Sequence, residues 1–257
     1  MGVVNVTPDS FSDGGRFLDP EAAIRHGLQL AAEGADVLDV GGESTRPGAA
    51  PVPVDAELAR VLPVISALAQ AGVARVSVDT RKAPVAAAAV EAGATMINDV
   101  SASLWPVAAE NVAAGKNVAW VAMHMKGTPD TMQADPQYDD VVGSVCSFLE
   151  DRAAMAVAAG VEEVWIDPGI GFGKTLEHNL TLLNHLRRLV STGYPVVVGT
   201  SRKGFLGKLL GGAPPDDRLE GSVATAMWAM SQGAQMVRVH DVAATVQAAA
   251  LVGAPSA

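Results

Sequence analysis

Polar residues able to do chemistry recur in this sequence at the ends of short apolar runs. In order they are Asn5, the turn Glu43-Ser44-Thr45-Arg46, Asp79, Asn98, His124, Asp167, the run Thr200-Ser201-Arg202-Lys203, and Arg238 with His240. Asp, Asn, Ser and Thr also cap helices that follow, so no single position is diagnostic. The convergence of all of them on one mouth exceeds what capping explains. Asp79, Asn98 and Asp167 form an acceptor set. Their carboxylate and amide oxygens suit a planar ligand that presents a fork of N–H donors, such as an amino-pyrimidinone ring. Asp167 in VWID has only apolar residues behind it, so its carboxylate is expected to be partly buried and to need a donor.

Arg202, Lys203, Arg238 and His240 form a second, basic set. In MVRVH, strand alternation puts Arg238 and His240 on one face, opposite Val237 and Val239. Two bases facing the same way on an apolar strand suit an anion, and the last two strand ends of a barrel commonly hold a phosphate. The two sets together describe a slot for a planar heterocycle beside a diphosphate pocket. Two loops, TPDSFSDGG (7–15) and GGESTRPGAAP (41–51), are long and rich in Gly, Pro, Ser and Asp. Both are candidate mobile covers for the mouth, and Phe11 is the only large apolar residue in the first.

The elements that must position these residues alternate along the chain. Strands are predicted at 3–6, 37–41, 75–79, 96–100, 118–124, 164–167, 195–200 and 236–240. Helices are predicted near 20–34, 55–71, 82–93, 106–115, 139–159, 176–192, 218–233 and 241–252. Gly34, Gly72, Gly93, Gly115, Gly160, Gly193 and Gly233 follow or end these helices, as expected of left-handed C-terminal caps. Eight βα units at roughly 30-residue spacing, with near-continuous apolar strands, point to an α/β fold of the closed (β/α)8 TIM-barrel type. An open doubly wound sheet is the runner-up, but it does not require eight units. No linker or composition shift divides residues 1–257, which read as one domain.

Composition narrows the function classes. The chain has 257 residues, 49 % hydrophobic and 18 % charged, which excludes a disordered protein. A formal charge of −10 argues against nucleic-acid and membrane-surface partners, because both need a basic face. Cys146 is the only cysteine, so no disulfide framework or thiolate zinc site is expected, consistent with a cytoplasmic location. No apolar run is long enough for a membrane span. GIGFGKT (169–175) ends like a nucleotide P-loop, but Pro168 stands where that pattern requires its first Gly. No GxGxxG follows the first strand, and His26, His124, His178 and His185 lack zinc-ligand spacing.

The segments GVVNVTPDSFSDGG, DVGGESTRPGA, SVDT, INDVS, AMHMKGTP, IDPGIGFGKT, GTSRKGFLG, RLEGSVATA and VRVHDV resemble, in order, the motifs of the bacterial dihydropteroate synthases. The match runs from Met1 to about residue 250. The resemblance implies a homodimer of pterin-binding barrels that makes dihydropteroate and diphosphate for folate synthesis. Its substrates would be 6-hydroxymethyl-7,8-dihydropterin diphosphate and 4-aminobenzoate. It implies a pterin slot of Asp79, Asn98, Asp167 and Lys203, with Met123, Phe172 and Gly199 packed around the ring. A diphosphate site is implied at Arg238 and His240 with Asn5, through which a Mg²⁺ ion is held. Thr45 is implied as a further contact to that substrate. The implied aminobenzoate pocket comprises Phe11, Thr45, Arg46, Pro47, Phe172 and Lys203. Asp79, Asp167, Lys203, Arg238 and His240 are the implied catalytic set. The implied mechanism is dissociative: diphosphate leaves, then the arylamine attacks the pterin methylene, with no general-base His and no covalent intermediate. Sulfonamide sensitivity is also expected of the family.

Many members of the family carry Ser after the SRK run, and here the residue is Gly204. Weaker, but not abolished, aminobenzoate binding is expected from that change. The stretch ASLWPVAAEN (102–111) also lacks the Gly-Gly often found there. The competing readings are a pterin-binding methyltransferase and an inactive pterin-binding paralogue. The first has no need for the RVH end or the two long loops, and the second no need for a full set of charged strand ends.

Overall fold

The computed structural model describes residues 1–7, 19–44, 49–102, 109–129 and 131–252. Eight short strands are present among them: β1 Gly2–Asn5, β2 Val37–Gly41, β3 Arg75–Asp79, β4 Met96–Asp99, β5 Ala119–Met123, β6 Val164–Asp167, β7 Val197–Val198 and β8 Met236–Val237. β1 to β6 pair in parallel in sequence order, and β7 pairs in parallel with β8. Two parallel bridges close the ring, Ile166 to Val196 and Gly2 to Val239. The expected (β/α)8 barrel is therefore the observed architecture. The helices between the strands are α1 Pro20–Ala32, α2 Val54–Ala71, α3 Ala83–Glu91, α4 Ala109–Lys116 and α5 Val141–Ala158. They continue with α6 Leu176–Asn184, α7 Leu186–Val190, α8 Gly204–Leu209, α9 Leu219–Ser231 and α10 Val242–Val252.

The strand pleat divides the side chains into two sets. Leu38, Val40, Val76, Val78, Trp120 and Ile166 belong to the main apolar layer shared with the helices. A second, smaller cluster of Met1, Val37, Met96, Ala119, Val121 and Val197 fills the lower barrel interior. Above it the inward positions turn polar, which places the chemistry at the C-terminal ends of the strands.

Several boundaries differ from the sequence expectation for local reasons. The predicted helix 176–192 breaks into α6 and α7 at His185, whose ψ of 21° leaves the helical range. Gly115 lies inside α4, and the left-handed position falls instead on Asn117, at φ 53°. β7 is far shorter than 195–200 because Pro195 has no N–H to donate and the chain turns away after Val198. α6 begins with a capping box in which Thr175 and His178 satisfy each other's backbone N–H groups. Among the described residues no helix is long and apolar enough to cross a membrane.

Candidate active site

The inward pleat positions of β2, β3 and β4, with the residue after β8, supply one connected polar group. Arg238 donates from Nε to Oδ2 of Asp39 at 2.6 Å and from an Nη to Oδ2 of Asp79 at 2.8 Å. The same Asp39 oxygen accepts from Nδ2 of Asn98 at 2.9 Å. Asp39 is fully buried, and its other oxygen, Oδ1, has no hydrogen-bond partner among the described residues. Loss of water works against the charge of Arg238, but Asp39 and Asp79 outweigh it and raise the guanidinium pKa further. At Asp79 the balance is reversed: loss of water outweighs the Arg238 charge, and Asp39 adds to the rise in pKa.

β6 ends in Asp167, 4 % exposed, whose Oδ1 accepts from the Gly169 N–H at 2.7 Å. Loss of water pushes this carboxyl up against the opposing charge of Lys203. Lys203, just before α8, donates to the carbonyl of Ile170 and sits 4.7 Å from the centre of the Phe172 ring. Its pKa is lowered to about 8, again chiefly by loss of water, with Asp167 pulling the other way. Met123 pairs in register with Asp167 and clusters with Phe172 through Val100, Met125 and Met132. A side chain at Gly199 would enter the space between Lys203 and Arg238, at 3.6 Å from Nζ of one and 3.7 Å from Cβ of the other.

The last two strand ends are tied together by Ser201 and His240. The Ser201 hydroxyl oxygen accepts the His240 backbone N–H at 3.1 Å and lies 3.0 Å from its Nδ1. The hydroxyl oxygen can also donate its O–H to Nδ1, the arrangement that leaves the ring proton on Nε2. Arg202 is exposed. It takes a left-handed φ of 56° and pairs with Asp241 on the surface.

The structure thus brings together Asp79, Asn98, Asp167, Lys203 and Arg238, packs Met123, Phe172 and Gly199 around them, and puts His240 and Asn5 at neighbouring strand ends. Phe11, Thr45, Arg46 and Pro47 lie outside the described residues. Two residues were missed in the sequence. Asp39 sits two positions deeper than the end of β2, and the signal was an acid in the middle of VLDVG, a run otherwise fully buried. Lys174 is buried in the loop after β6. Arg238, assigned from sequence to the basic set, is bonded to the carboxylates instead, because its pleat position faces β2 and β3. At the base of the second long loop, Glu43 accepts from the Val52 N–H at 2.9 Å, from Arg81 at 3.1 Å and from Lys82 at 2.9 Å. Lys82 also pairs with the fully buried Glu57.

Among the described residues no group of three or more His, Cys, Asp or Glu side chains is arranged to hold a metal. Comparison with known proteins gives a consistent picture. The family model described as "Pterin binding enzyme" matches residues 1–240. A dihydropteroate synthase of Mycobacterium leprae is 48 % identical over 262 residues, covering 99 % of this chain and 92 % of the relative. The Xanthomonas albilineans dihydropteroate synthase solved with 4-aminobenzoic acid superposes with a TM-score of 0.91 at 52 % identity, covering 97 % of this chain and 90 % of that one. The Xanthomonas albilineans enzyme in complex with 7,8-dihydropteroate gives 0.87 at 49 % identity, with the same coverage.

Proposed function

The chain belongs to the dihydropteroate synthases of the pterin-binding enzyme family, and we propose that its barrel mouth carries out that reaction with the residues described above. It joins 6-hydroxymethyl-7,8-dihydropterin diphosphate to 4-aminobenzoate, releasing diphosphate and 7,8-dihydropteroate. The observation that carries this assignment is the juxtaposition of a buried carboxylate, Asp167, with Lys203 and the Arg238-centred group in one barrel mouth.

The acceptors Asp167 and Asn98 suit the N–H fork of the pterin ring, and Met123 and Phe172 supply apolar cover for its faces. Lys203 offers a cation to the ring carbonyl side. Arg238 commits two of its N–H groups to Asp39 and Asp79 and retains others for phosphate oxygens, since a guanidinium has five. His240, its Nε2–H set by Ser201, is the second donor for the leaving diphosphate. When the C–O bond breaks, both electrons leave with diphosphate and the methylene carbon becomes cationic. The Asp167 carboxylate stabilises that charge in a poorly solvated site. The arylamine lone pair then forms the C–N bond, and the surplus ammonium proton passes to diphosphate or water. No enzyme nucleophile is used.

A Mg²⁺ ion fits the donors present. Asn5 offers one carboxamide oxygen at the end of β1 and is part-exposed, and Mg²⁺ characteristically takes few protein ligands and completes its shell with phosphate and water oxygens. Bound there, the ion would supply charge neutralisation to the diphosphate.

Phe11, Thr45, Arg46 and Pro47 complete the aminobenzoate side in this reading. Residues 1–257 act as one pterin-binding domain. The partner is a second copy of the chain, a pairing supported by the exposed Trp228 on α9 and Val246 on α10, and the location is cytoplasmic, which suits the free, buried Cys146.

The test is to supply the protein with the pterin diphosphate, Mg²⁺ and labelled 4-aminobenzoate. Labelled dihydropteroate is expected from the wild type and is lost in Lys203→Ala and Asp79→Ala. Absence of product, with the pterin still bound, would favour the non-catalytic paralogue. Methyl transfer from a methylated pterin to a corrinoid protein would favour the methyltransferase.

A further inference from the structure

The GFGKT segment, which in sequence imitates the end of a nucleotide P-loop, has a different use here. A P-loop lysine reaches out to phosphates, whereas Lys174 is turned inward and is 2 % exposed. Its Nζ lies 2.9 Å from Nδ1 of His124, 2.9 Å from the Gly169 carbonyl, 3.0 Å from the Phe172 carbonyl and 3.3 Å from the His124 carbonyl. Among the described residues it forms no ion pair with a carboxylate. Three carbonyl oxygens converging on one point repel each other, and a lysine amine, which brings N–H donors, is suited to hold them there; loss of water lowers its pKa well below the ordinary value, and the charge of Asp167 opposes that fall.

The loop 168–175 needs such a pin because it is pressed onto the segment after β5. A Cβ at Gly169, φ +64°, would lie 1.9 Å from the His124 carbonyl oxygen, and one at Gly173, φ +63°, would lie 2.3 Å from that of Lys126. The same loop delivers three groups to the mouth: the Gly169 N–H on Asp167, the Ile170 carbonyl that receives Lys203, and the Phe172 ring beside Lys203.

We propose that Lys174 is a positioning residue for the synthase reaction: it pins loop 168–175 against His124 so that Asp167, Lys203 and Phe172 are held in their working arrangement. It touches no substrate atom. The state of His124 agrees with this geometry. Loss of water, aided by the Lys174 charge, lowers its pKa to about 3, so the ring stays neutral and its Nδ1 accepts. Its far side faces an open cavity lined by Lys126, Tyr138 and Phe148.

The proposal rests on the synthase reading, and two measurements separate the two. In the wild type, ¹⁵N-histidine NMR is expected to show His124 neutral, with Nδ1 unprotonated, between about pH 5 and 8. A His124 that titrates near its ordinary value of about 6.5 would overturn the proposal, whether or not the protein makes dihydropteroate. In Lys174→Met, which keeps the stem and removes the amine, Asp167 loses the ordered Gly169 N–H and a neighbouring cation. The acid limb of kcat/KM for the pterin diphosphate should move up by about half a pH unit or more. The value of kcat/KM for 4-aminobenzoate should fall roughly tenfold or more. A folded variant with a lower Tm, an unmoved acid limb and near-wild-type kinetics would show a purely structural lysine and overturn the proposal. If that variant does not fold, the wild-type NMR measurement alone decides. Failure of the wild type to turn over would instead count against the synthase reading.

Discussion

Arg238 and Asp39 stand 199 positions apart in the chain and meet inside the barrel, with Nε donating to Oδ2 at 2.6 Å. β8 is joined to β1 and β1 to β2, so the closed ring brings the last strand end over the interior of the second. With Asp79 on its Nη, the pair fixes a flexible base inside the barrel mouth. Asn98 bonds to the same carboxylate oxygen, so one buried acid orients both a guanidinium and an amide.

Replacing Asp39 by Asn keeps the shape and removes the charge. Arg238 would retain only Asp79, itself an acid whose pKa is raised. Removing one partner of a buried pair costs about 3–5 kcal/mol, and the surviving Asp79 contact puts this case toward the lower end. We expect a lower Tm and a fall in kcat/KM for the pterin diphosphate of roughly 100-fold. Steady-state kinetics and a thermal melt check both, and unchanged kinetics would show that Asp39 does not orient Arg238.

Ser201→Ala leaves the His240 backbone N–H and ring without their common partner. The ring can then place its proton on Nδ1 and present a lone pair, not a donor, to the diphosphate. A loss of about tenfold in kcat is expected, and Ser201→Thr should recover most of it. Histidine NMR reads the tautomer directly: a ring still protonated on Nε2 in Ser201→Ala would dispose of the argument.

The pH profile should carry a basic limb from Lys203. Its pKa is lowered to about 8, so the cation is present below that value and is lost as pH rises through it. kcat/KM for the pterin diphosphate should therefore decline above about pH 8. In the bound complex the anionic substrate favours the ammonium, so the limb in kcat lies higher. Lys203→Arg, whose guanidinium does not titrate in this range, should be slower but lack the limb. A limb that persists unchanged in the Arg variant belongs to another group.

Gly204 opens α8, and a Cβ built there meets nothing within 4 Å. Serine therefore fits without strain. Gly204→Ser is expected to lower the 4-aminobenzoate KM about two- to fivefold, the lower end of what one added hydrogen bond contributes, with kcat little changed. An unchanged KM would show that the hydroxyl does not reach the carboxylate.

The legible parts of this molecule are those that follow from the pleat. Asp79, Asn98, Asp167 and Arg238 sit at strand ends, and a period of two turns them all inward. Asp39 was obscured because it lies below the strand end, in a run that otherwise reads as core. Lys174 was obscured for a different reason. Its partners are a ring nitrogen and backbone carbonyls, and carbonyl positions leave no trace in residue types. The break at His185 and the short α8 depend on local dihedrals that neither hydrophobic spacing nor a capping residue announces.

In the proposed reaction Asp167 supports the pterin cation that 4-aminobenzoate captures. The most direct test of this role is a single-turnover experiment with enzyme in excess over the pterin diphosphate, in Mg²⁺ buffer, comparing the wild type with Asp167→Asn. The account predicts that on adding 4-aminobenzoate the wild type forms dihydropteroate and diphosphate in equal amounts, while Asp167→Asn binds the pterin but is slowed by roughly two orders of magnitude or more. Wild-type protein that forms no dihydropteroate, or an Asp167→Asn variant that matches the wild-type rate, would contradict it.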